Sequence, residues 1–416
     1  MTLAGRRVLY ISYNGMLDPL GQSQVIPYLR GLAGLGVRFT LLSYERSAAL
    51  QANGKSKCDE VRESLAANGI EWHWLRYHQR PSLPATIYDV AAGIRYAEKL
   101  ARRNGIEMVH ARSHIPATIG LALRRRLATK LIFDLRGLMA EEYVDAQHWS
   151  TGGIPYRLTK TMERRILAQA DAVVTLTEKI WPIVKNWKGL RNRAVAHEVV
   201  PCCVDLELYK FNQDDRRRRR DELGLRDRRV LIYSGSIGGW YLTDAMVDLF
   251  SELIKKRGDW HFLWLTNGPA DLIKKLMEAR GINARQYTIR SVASTEVASY
   301  LSAGDAGVAF YKPGLSRLAT SPVKVSEYLA CGLPVIINGG IGDSEELVLR
   351  EEAGALINNF NGIEYAKAAN IVEEFAAHAD RTRDLTRKVA ERWFDLRRVG
   401  TERYSRLYER VLTSSN

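Results

Sequence analysis

The chain has 416 residues, 46% of them hydrophobic and 26% charged, enough for two or three globular domains with cores of their own. No apolar run approaches the roughly 20 residues of a membrane-spanning helix, and the opening MTLAGRRVLYISYNG is broken too soon for a signal peptide, so it reads as the first strand of a cytoplasmic protein. The net charge of +14 is uneven: residues 1–200 hold 29 Lys and Arg against 17 Asp and Glu, whereas residues 201–416 hold 32 against 30. A basic half beside a near-neutral one points to an anionic partner: a phospholipid surface, nucleic acid or a phosphorylated substrate. Cys58, Cys202, Cys203 and Cys331 have neither metal nor disulfide spacing and read as reduced thiols.

From Arg6 onward strand-like and helix-like segments alternate. VLYISYN, VRFTLLSYE, IEWHWLRYH, IEMVHARS, KLIFDLRG, AVVTLT and AVAHEVV are short β-rich runs, with helical spacing between most of them, as in Ile87–Arg103 and Tyr156–Gln169. A second series begins at Arg229 with VLIYSGS, WHFLWLTNG, YTIRSV, AGVAFYK, LPVIIN and GALIN. Between the series, Pro201 to Arg228 is charge-dense and aperiodic and reads as a linker, with the Arg216–Arg220 run as a solvated surface helix. Residues 362–412 carry a helical pattern throughout. Alternation of this kind predicts an α/β protein of two doubly wound, Rossmann-like domains facing a central cleft, with ligands at the carboxyl ends of the strands.

Several strand ends carry residues that packing does not call for. NGMLDPLGQSQ follows the first strand, and Gly15 and Gly21 there permit close backbone approach to a ligand. DLRGLMAEEYVD gathers Asp134, Arg136, Glu141 and Glu142 at one strand end, whereas the lone His114 reads as structural. In the second series YSGSIGGW has the glycines of a phosphate-approach loop but no cation, and WLTNGP and IRSVAS are further strand-end turns. The densest signal is TSPVKVSEYLACGLPVIIN, from Thr320 to Asn338. Ser321 suits an N-cap and Pro322 the first helical position, with Gly332 just past the helix end and a buried strand after it. Lys324 and Glu327 share a face three residues apart, and a lysine in a first turn opposes the helix dipole unless an anion binds there. A carboxylate one turn further on is placed to accept hydrogen bonds from the hydroxyls of the same ligand.

Taken together, EYLACGLPVI, VVPCCVDLELYKF and SVASTEVASYLSAGDAGVAF resemble glycosyltransferase family 4, the retaining nucleotide-sugar-dependent enzymes of the GT-B fold. The resemblance runs from Val8 to about Leu412. It implies an acceptor-binding domain over residues 1–203, a nucleotide-sugar-binding domain over 204–398 and a helix over 399–416 that crosses back to the first domain. Glu327 matches the second glutamate of the family's E-x7-E motif, which binds the ribose, while Ala319 stands where the first would fall. Where many members hold the diphosphate with an Arg and a Lys, this chain has Ser236 and Trp240 or Tyr241; some members instead carry a lysine where Lys324 stands. The implied donor site is Gly235, Ser236, Asn267, Ser291, Ser321, Val323, Lys324 and Glu327. The acceptor side is Gly21, Gln22, Arg136 and Glu141, and Asp134, Lys324 and Glu327 carry catalysis. DPLGQSQ and DLRGLMAEE are similar to a bacterial subgroup that builds surface polysaccharide or lipid-linked glycan.

The expected reaction is transfer of a hexose-type sugar from a nucleoside diphosphate to an acceptor hydroxyl, with retention. With no Asp-x-Asp pair and no His/Cys cluster, neither a cofactor nor a metal is expected. The expected partners are a nucleotide-sugar donor, a glycan or lipid-linked acceptor and an anionic membrane surface that the protein meets peripherally from the cytoplasm. Nucleic acid is not expected, since the aromatics lie within strand and helix patterns and not in exposed stacking arrays. The competing readings are a sugar-nucleotide epimerase of the same fold and a non-catalytic protein that binds sugar nucleotides or nucleic acid.

Overall fold

The computed structural model describes residues 3–80 and 82–414. The chain forms two compact units, Met1–Pro201 with Leu396–Asn416, and Cys202–Asp395.

The first unit is built on seven strands: β1 (Arg7–Ser12), β2 (Arg38–Glu45), β3 (Ile70–Arg76), β4 (Met108–Arg112), β5 (Lys130–Leu135), β6 (Ala172–Thr175) and β7 (Ala196–Val199). They pair in parallel in the order β3-β2-β1-β4-β5-β6-β7. The second has six: β8 (Arg229–Ser234), β9 (Trp260–Leu265), β10 (Tyr287–Arg290), β11 (Ala306–Ala309), β12 (Val335–Asn338) and β13 (Gly354–Ile357). Their order is β10-β9-β8-β11-β12-β13, again parallel. This is the doubly wound α/β arrangement that the alternation of segments predicts. Helices on both faces explain why β9 (WHFLWL) and β12 (VIIN) are buried along their whole length, as an unbroken apolar run requires.

In each sheet the winding reverses once, between β1 and β4 in the first unit and between β8 and β11 in the second. Loops leaving the carboxyl ends of the two strands at such a reversal diverge to opposite faces and leave a crevice, the usual ligand position in open α/β sheets. In the second unit the crevice lies between the glycine-rich loop after β8 and the segment from Tyr311 to Val323 after β11.

Two local expectations are corrected. The helix begins at Val323 with Pro322 as its N-cap, and Ser321 does not cap it. The Ser321 hydroxyl accepts a hydrogen bond from the Cys202 N–H at 3.0 Å instead. The other end is as expected: the helix stops at Ala330 and Gly332 takes φ +81°. The helix expected at the Arg216–Arg220 run is present, and Arg217 and Arg218 are exposed on it, but the rest of the run is not solvated. Asn212 caps a helix over Gln213–Leu223 by accepting from the Asp214 and Asp215 N–H groups, both at 2.9 Å. Arg216 and Arg220 each reach Asp305 at 2.6 Å, and Arg219 lies 4.0 Å over the Tyr300 ring. The run reads as surface because composition cannot show that Asp305, 85 residues beyond Arg220, waits for it.

Candidate functional site

Lys324 sits in the first turn of the helix Val323–Ala330 and is only 8% exposed. Its ammonium lies 4.0 Å from the ring centre of Tyr241, 5.3 Å from Tyr233 and 5.7 Å from Tyr311. Among the described residues no carboxylate comes within ion-pair distance of it. Three ring faces stabilise a cation by roughly 0.5–2 kcal/mol each at best, whereas desolvating an ammonium costs several. The cage therefore holds the charge in place without neutralising it. The glycine at the end of β8 makes room: a Cβ on Gly235, whose φ is +135°, would stand 2.8 Å from the Lys324 nitrogen. The rings are themselves fixed. Asn338 accepts from the Tyr311 N–H at 2.7 Å and donates to its carbonyl at 3.1 Å. The Tyr233 hydroxyl donates to the Ser236 carbonyl.

One turn further along, Glu327 is half-buried. Desolvation pushes its pKa up to about 7, against the smaller downward pulls of the Tyr209 hydroxyl facing it and of Lys324. A carboxyl that titrates near neutrality beside a hydroxyl donor is well disposed to accept further hydroxyl hydrogen bonds, which favour its charged form.

The other residues expected at the donor site all belong to this unit. Gly235 and Ser236 lie on the glycine loop. Asn267 and Ser291, exposed at the ends of β9 and β10, meet when the serine hydroxyl donates to the asparagine carbonyl oxygen. Val323 opens the helix, and Ser321 just before it is committed to Cys202. Sequence reasoning did not single out Tyr209, Tyr233, Tyr311 or Asn338, which come from separate strands and loops and share no spacing. It also passed over Arg317, buried on the short helix Leu315–Ala319 with its guanidinium 4.2 Å over the Trp240 ring.

The first unit corrects the acceptor-side expectations. Asp134 lies at the end of β5, as expected, and is fully buried there. Its Oδ2 accepts from the Tyr404 hydroxyl at 2.9 Å and lies 3.3 Å from His110 Nε2 and 4.0 Å from Arg112, while Arg136 is 3.7 Å from Oδ1. Tyr408 completes the set, 2.7 Å from His110 Nδ1. Asp134 therefore ties the helix Glu402–Thr413 to the sheet. Arg136 is its partner. Glu141 is buried with Lys160 at 3.0 Å, in a chain that continues through Glu163 to His114. Gly21 is glycine for an internal reason, since a Cβ there would meet the Gly15 carbonyl oxygen at 2.1 Å. Gln22 is exposed, and its amide closes the same loop onto the Met16 carbonyl at 2.5 Å.

Burial raises the Asp134 pKa, but Arg136, His110 and Arg112 outweigh it and hold the value at about 2. Asp134→Asn leaves the buried Arg112 and the half-buried Arg136 without their carboxylate and is expected to destabilise the first unit by roughly 3–5 kcal/mol. Because the folded-state pKa lies below the ordinary 3.8, the aspartate's contribution is whole above about pH 4 and lost as pH falls through 2. Thermal melts of both proteins at several pH values should show a gap that is constant at pH 5–7 and narrows below 4. Equal melting temperatures at pH 7 would remove this role.

Residues 24–193 match the glycosyl transferase 4-like domain family, and residues 228–373 match the glycosyl transferases group 1 family. An α-D-kanosaminyltransferase of Streptomyces kanamyceticus is 30% identical over 155 residues, which is 36% of this chain and 38% of that protein. Among solved structures, a sucrose-phosphate synthase of Thermosynechococcus elongatus superposes with a TM-score of 0.73 at 16% identity, over 99% of this chain and 100% of that one. The Anabaena protein HepE in complex with UDP-glucose gives 0.70 at 15% identity, over 97% and 99%. The two family matches follow one another along the chain and divide between its two units, and the fold is that of glycosyltransferases. This chain belongs to the glycosyltransferase family with a 4-like first domain and a group 1 second domain.

Proposed function

We propose that the protein transfers a sugar from a nucleoside-diphosphate sugar to a hydroxyl of a glycan or lipid-linked acceptor, with retention of anomeric configuration. The observation that carries this reading is Lys324, a buried ammonium without a carboxylate at a helix N-terminus beside the sheet's winding reversal, with Glu327 one turn behind it. In this assignment Lys324 and the free N–H groups of the first turn take the diphosphate, and Glu327 takes the ribose hydroxyls. As the glycosidic bond to the diphosphate breaks, negative charge grows on the departing phosphate. A fixed ammonium and aligned N–H dipoles in a desolvated crevice stabilise that charge without reorganising. They supply what a metal supplies elsewhere, so transfer is proposed to need none. The second unit would thus bind the donor and the first the acceptor. The donors bound by neighbours of the same fold, such as the UDP-glucose of HepE, support a sugar nucleotide as ligand. The similarity of DPLGQSQ and DLRGLMAEE to polysaccharide-assembling enzymes supports a glycan product.

Membrane association is proposed to run through the helix Ile154–Leu167. No helix among the described residues is long and apolar enough to cross a membrane. That helix, however, exposes Ile154 (73%) and Leu158 (54%), with Arg157, Arg164 and Arg165 exposed beside them. An apolar ridge flanked by arginines suits the headgroup layer of an anionic bilayer. The Arg124–Arg126 cluster contributes less than its charge suggests, because Arg124 pairs with Asp171 and Arg126 with Glu98. Attraction of about 1 kcal/mol per basic residue makes binding salt-sensitive. Vesicles containing phosphatidylglycerol should co-sediment the protein at low salt, less at high salt, and less again for the double variant Ile154→Ser, Leu158→Ser. No pelleting at low salt would rule the idea out.

Calorimetric titration tests the donor site. A panel of uridine, guanosine, adenosine and thymidine diphosphates with EDTA present identifies the base, after which its nucleoside, diphosphate and sugar nucleotide are compared. Glu327→Gln should weaken all three by roughly 1.5–3 kcal/mol, whereas Lys324→Ala should weaken only the phosphorylated pair. Affinity of the native protein should also depend on pH. Ribose hydroxyls stabilise the Glu327 carboxylate, so binding is tightest above about pH 7 and weakens as pH falls below it, by at most tenfold per unit, while Glu327→Gln flattens the profile. Turnover with acceptor in EDTA, and the anomeric proton of the product by NMR, complete the test. Interconversion of the sugar nucleotide without acceptor would favour an epimerase, and loss of turnover restored by magnesium would overturn the metal-free reading.

A further inference from the structure

Among the described residues four cationic side chains are buried: Arg112, Arg220, Arg317 and Lys324. Two answer to carboxylates, Arg112 to Asp134 at 4.0 Å and Arg220 to Asp305 at 2.6 Å. The other two have none within ion-pair distance, and both lie against the same short loop. Gly235–Trp240, the sequence GSIGGW after β8, contains no charge of its own. Lys324 meets its first residue, where an added Cβ would stand 2.8 Å from the ammonium. Arg317 meets its last, with the guanidinium carbon 4.2 Å from the Trp240 ring centre. The loop's far end is pinned to the segment after β11, because the Lys312 N–H donates to the Trp240 carbonyl at 2.9 Å and Tyr241 bridges to Tyr311. Tyr311 is the shared neighbour. Its ring lies 5.7 Å from the Lys324 ammonium, and Arg317 is among the charges acting on its hydroxyl.

We propose that Arg317 is a second cation of the donor site and binds the diphosphate from the Trp240 end of the loop, opposite Lys324. The inference rests on the donor site proposed above and adds to it a residue that no family motif marks. Two like charges desolvated in one crevice repel each other and each lacks its counterion, so the pair favours a ligand bearing two or more negative charges in a compact group. A diphosphate is such a group, and a monophosphate or a neutral sugar is not. The guanidinium is oriented for the task. It is 7% exposed, its Nε is held by the Ser316 hydroxyl oxygen at 3.2 Å, and its central carbon lies over the indole. That leaves the two Nη groups as a planar fork, the geometry that grips phosphate oxygens in pairs and that a lysine lacks. Arg317 thus supplies the cation that the loop does not carry, from seven residues upstream of Lys324.

The test uses the full chain and the base identified by the diphosphate panel, titrating nucleoside, monophosphate and diphosphate into the native protein and into Arg317→Ala, Arg317→Lys and Lys324→Ala. Arg317→Ala is expected to lower diphosphate affinity roughly 10- to 150-fold and monophosphate affinity less, with the nucleoside unchanged. Arg317→Lys keeps the charge, loses the fork and should fall between; it also serves should the alanine variant melt early. Native-like diphosphate binding by both Arg317 variants, with Lys324→Ala impaired, overturns this inference and leaves the donor site standing. A loss confined to nucleotide sugars with a carboxylate on the sugar, tested with the uronic acid and neutral forms side by side, overturns it as well. Failure of the native protein to bind any diphosphate removes the donor reading itself, and this inference with it.

Discussion

A charge taken out of water must be answered, and the second unit is arranged around one that the protein answers only in part. The Lys324 ammonium lies among three tyrosine rings, and much of the local sequence serves that arrangement. Gly235 is glycine because the lysine reaches it, and Asn338 uses both ends of its amide to hold the Tyr311 backbone. Tyr328, on the same helix as the lysine, accepts from the Ser234 N–H at 2.8 Å and so fixes the strand from which the glycine loop departs. The helix itself opposes the charge at its first turn. Each of these devices fixes the position of the cation and none removes its charge, which suits a site that must receive an anion and release it again.

Much of this was legible in the sequence. Each of the thirteen described strands coincides with a β-rich run to within one residue, and the inner ones, covered on both faces, are written as continuous apolar segments. The Lys324–Glu327 pair was legible for a related reason: helical spacing puts the two on one face whatever surrounds them. The tyrosine cage was not, since its rings arrive on residues 233, 241 and 311, which only the fold brings together. The partners of Asp134 were not legible, because a charge cluster near a strand end looks the same whether it faces solvent or interior. What decides the matter is Tyr404, 270 residues away. Arg216 and Arg220 were taken as solvated for want of Asp305.

The two halves also handle charge differently. In the first, the buried acids Asp134, Glu141 and Glu163 are matched to Arg136, Lys160 and His114 by internal pairing. The excess of positive charge is left to the exposed helices, where salt screens it. In the second the net charge is small, yet Arg317 and Lys324 remain buried without carboxylates. Net charge and functional charge are thus separate quantities here. The half that looks electrostatically active from composition pairs most of its buried charges, Glu45 excepted, whereas the near-neutral half keeps two buried cations without carboxylates.

The first unit is assembled from two stretches that are far apart in the chain, with Cys202–Asp395 inserted between them. The helix Glu402–Thr413 brings Tyr404 and Tyr408 to a site where Asp134, Arg112 and His110 already converge on β4 and β5. During synthesis the ribosome delivers that helix, which starts at Glu402, only after the whole second unit. Until then the sheet's polar centre stands without its two phenols, while the second unit, continuous in sequence, is free to fold first. The first unit is thereby begun before the second in translation and completed only after it.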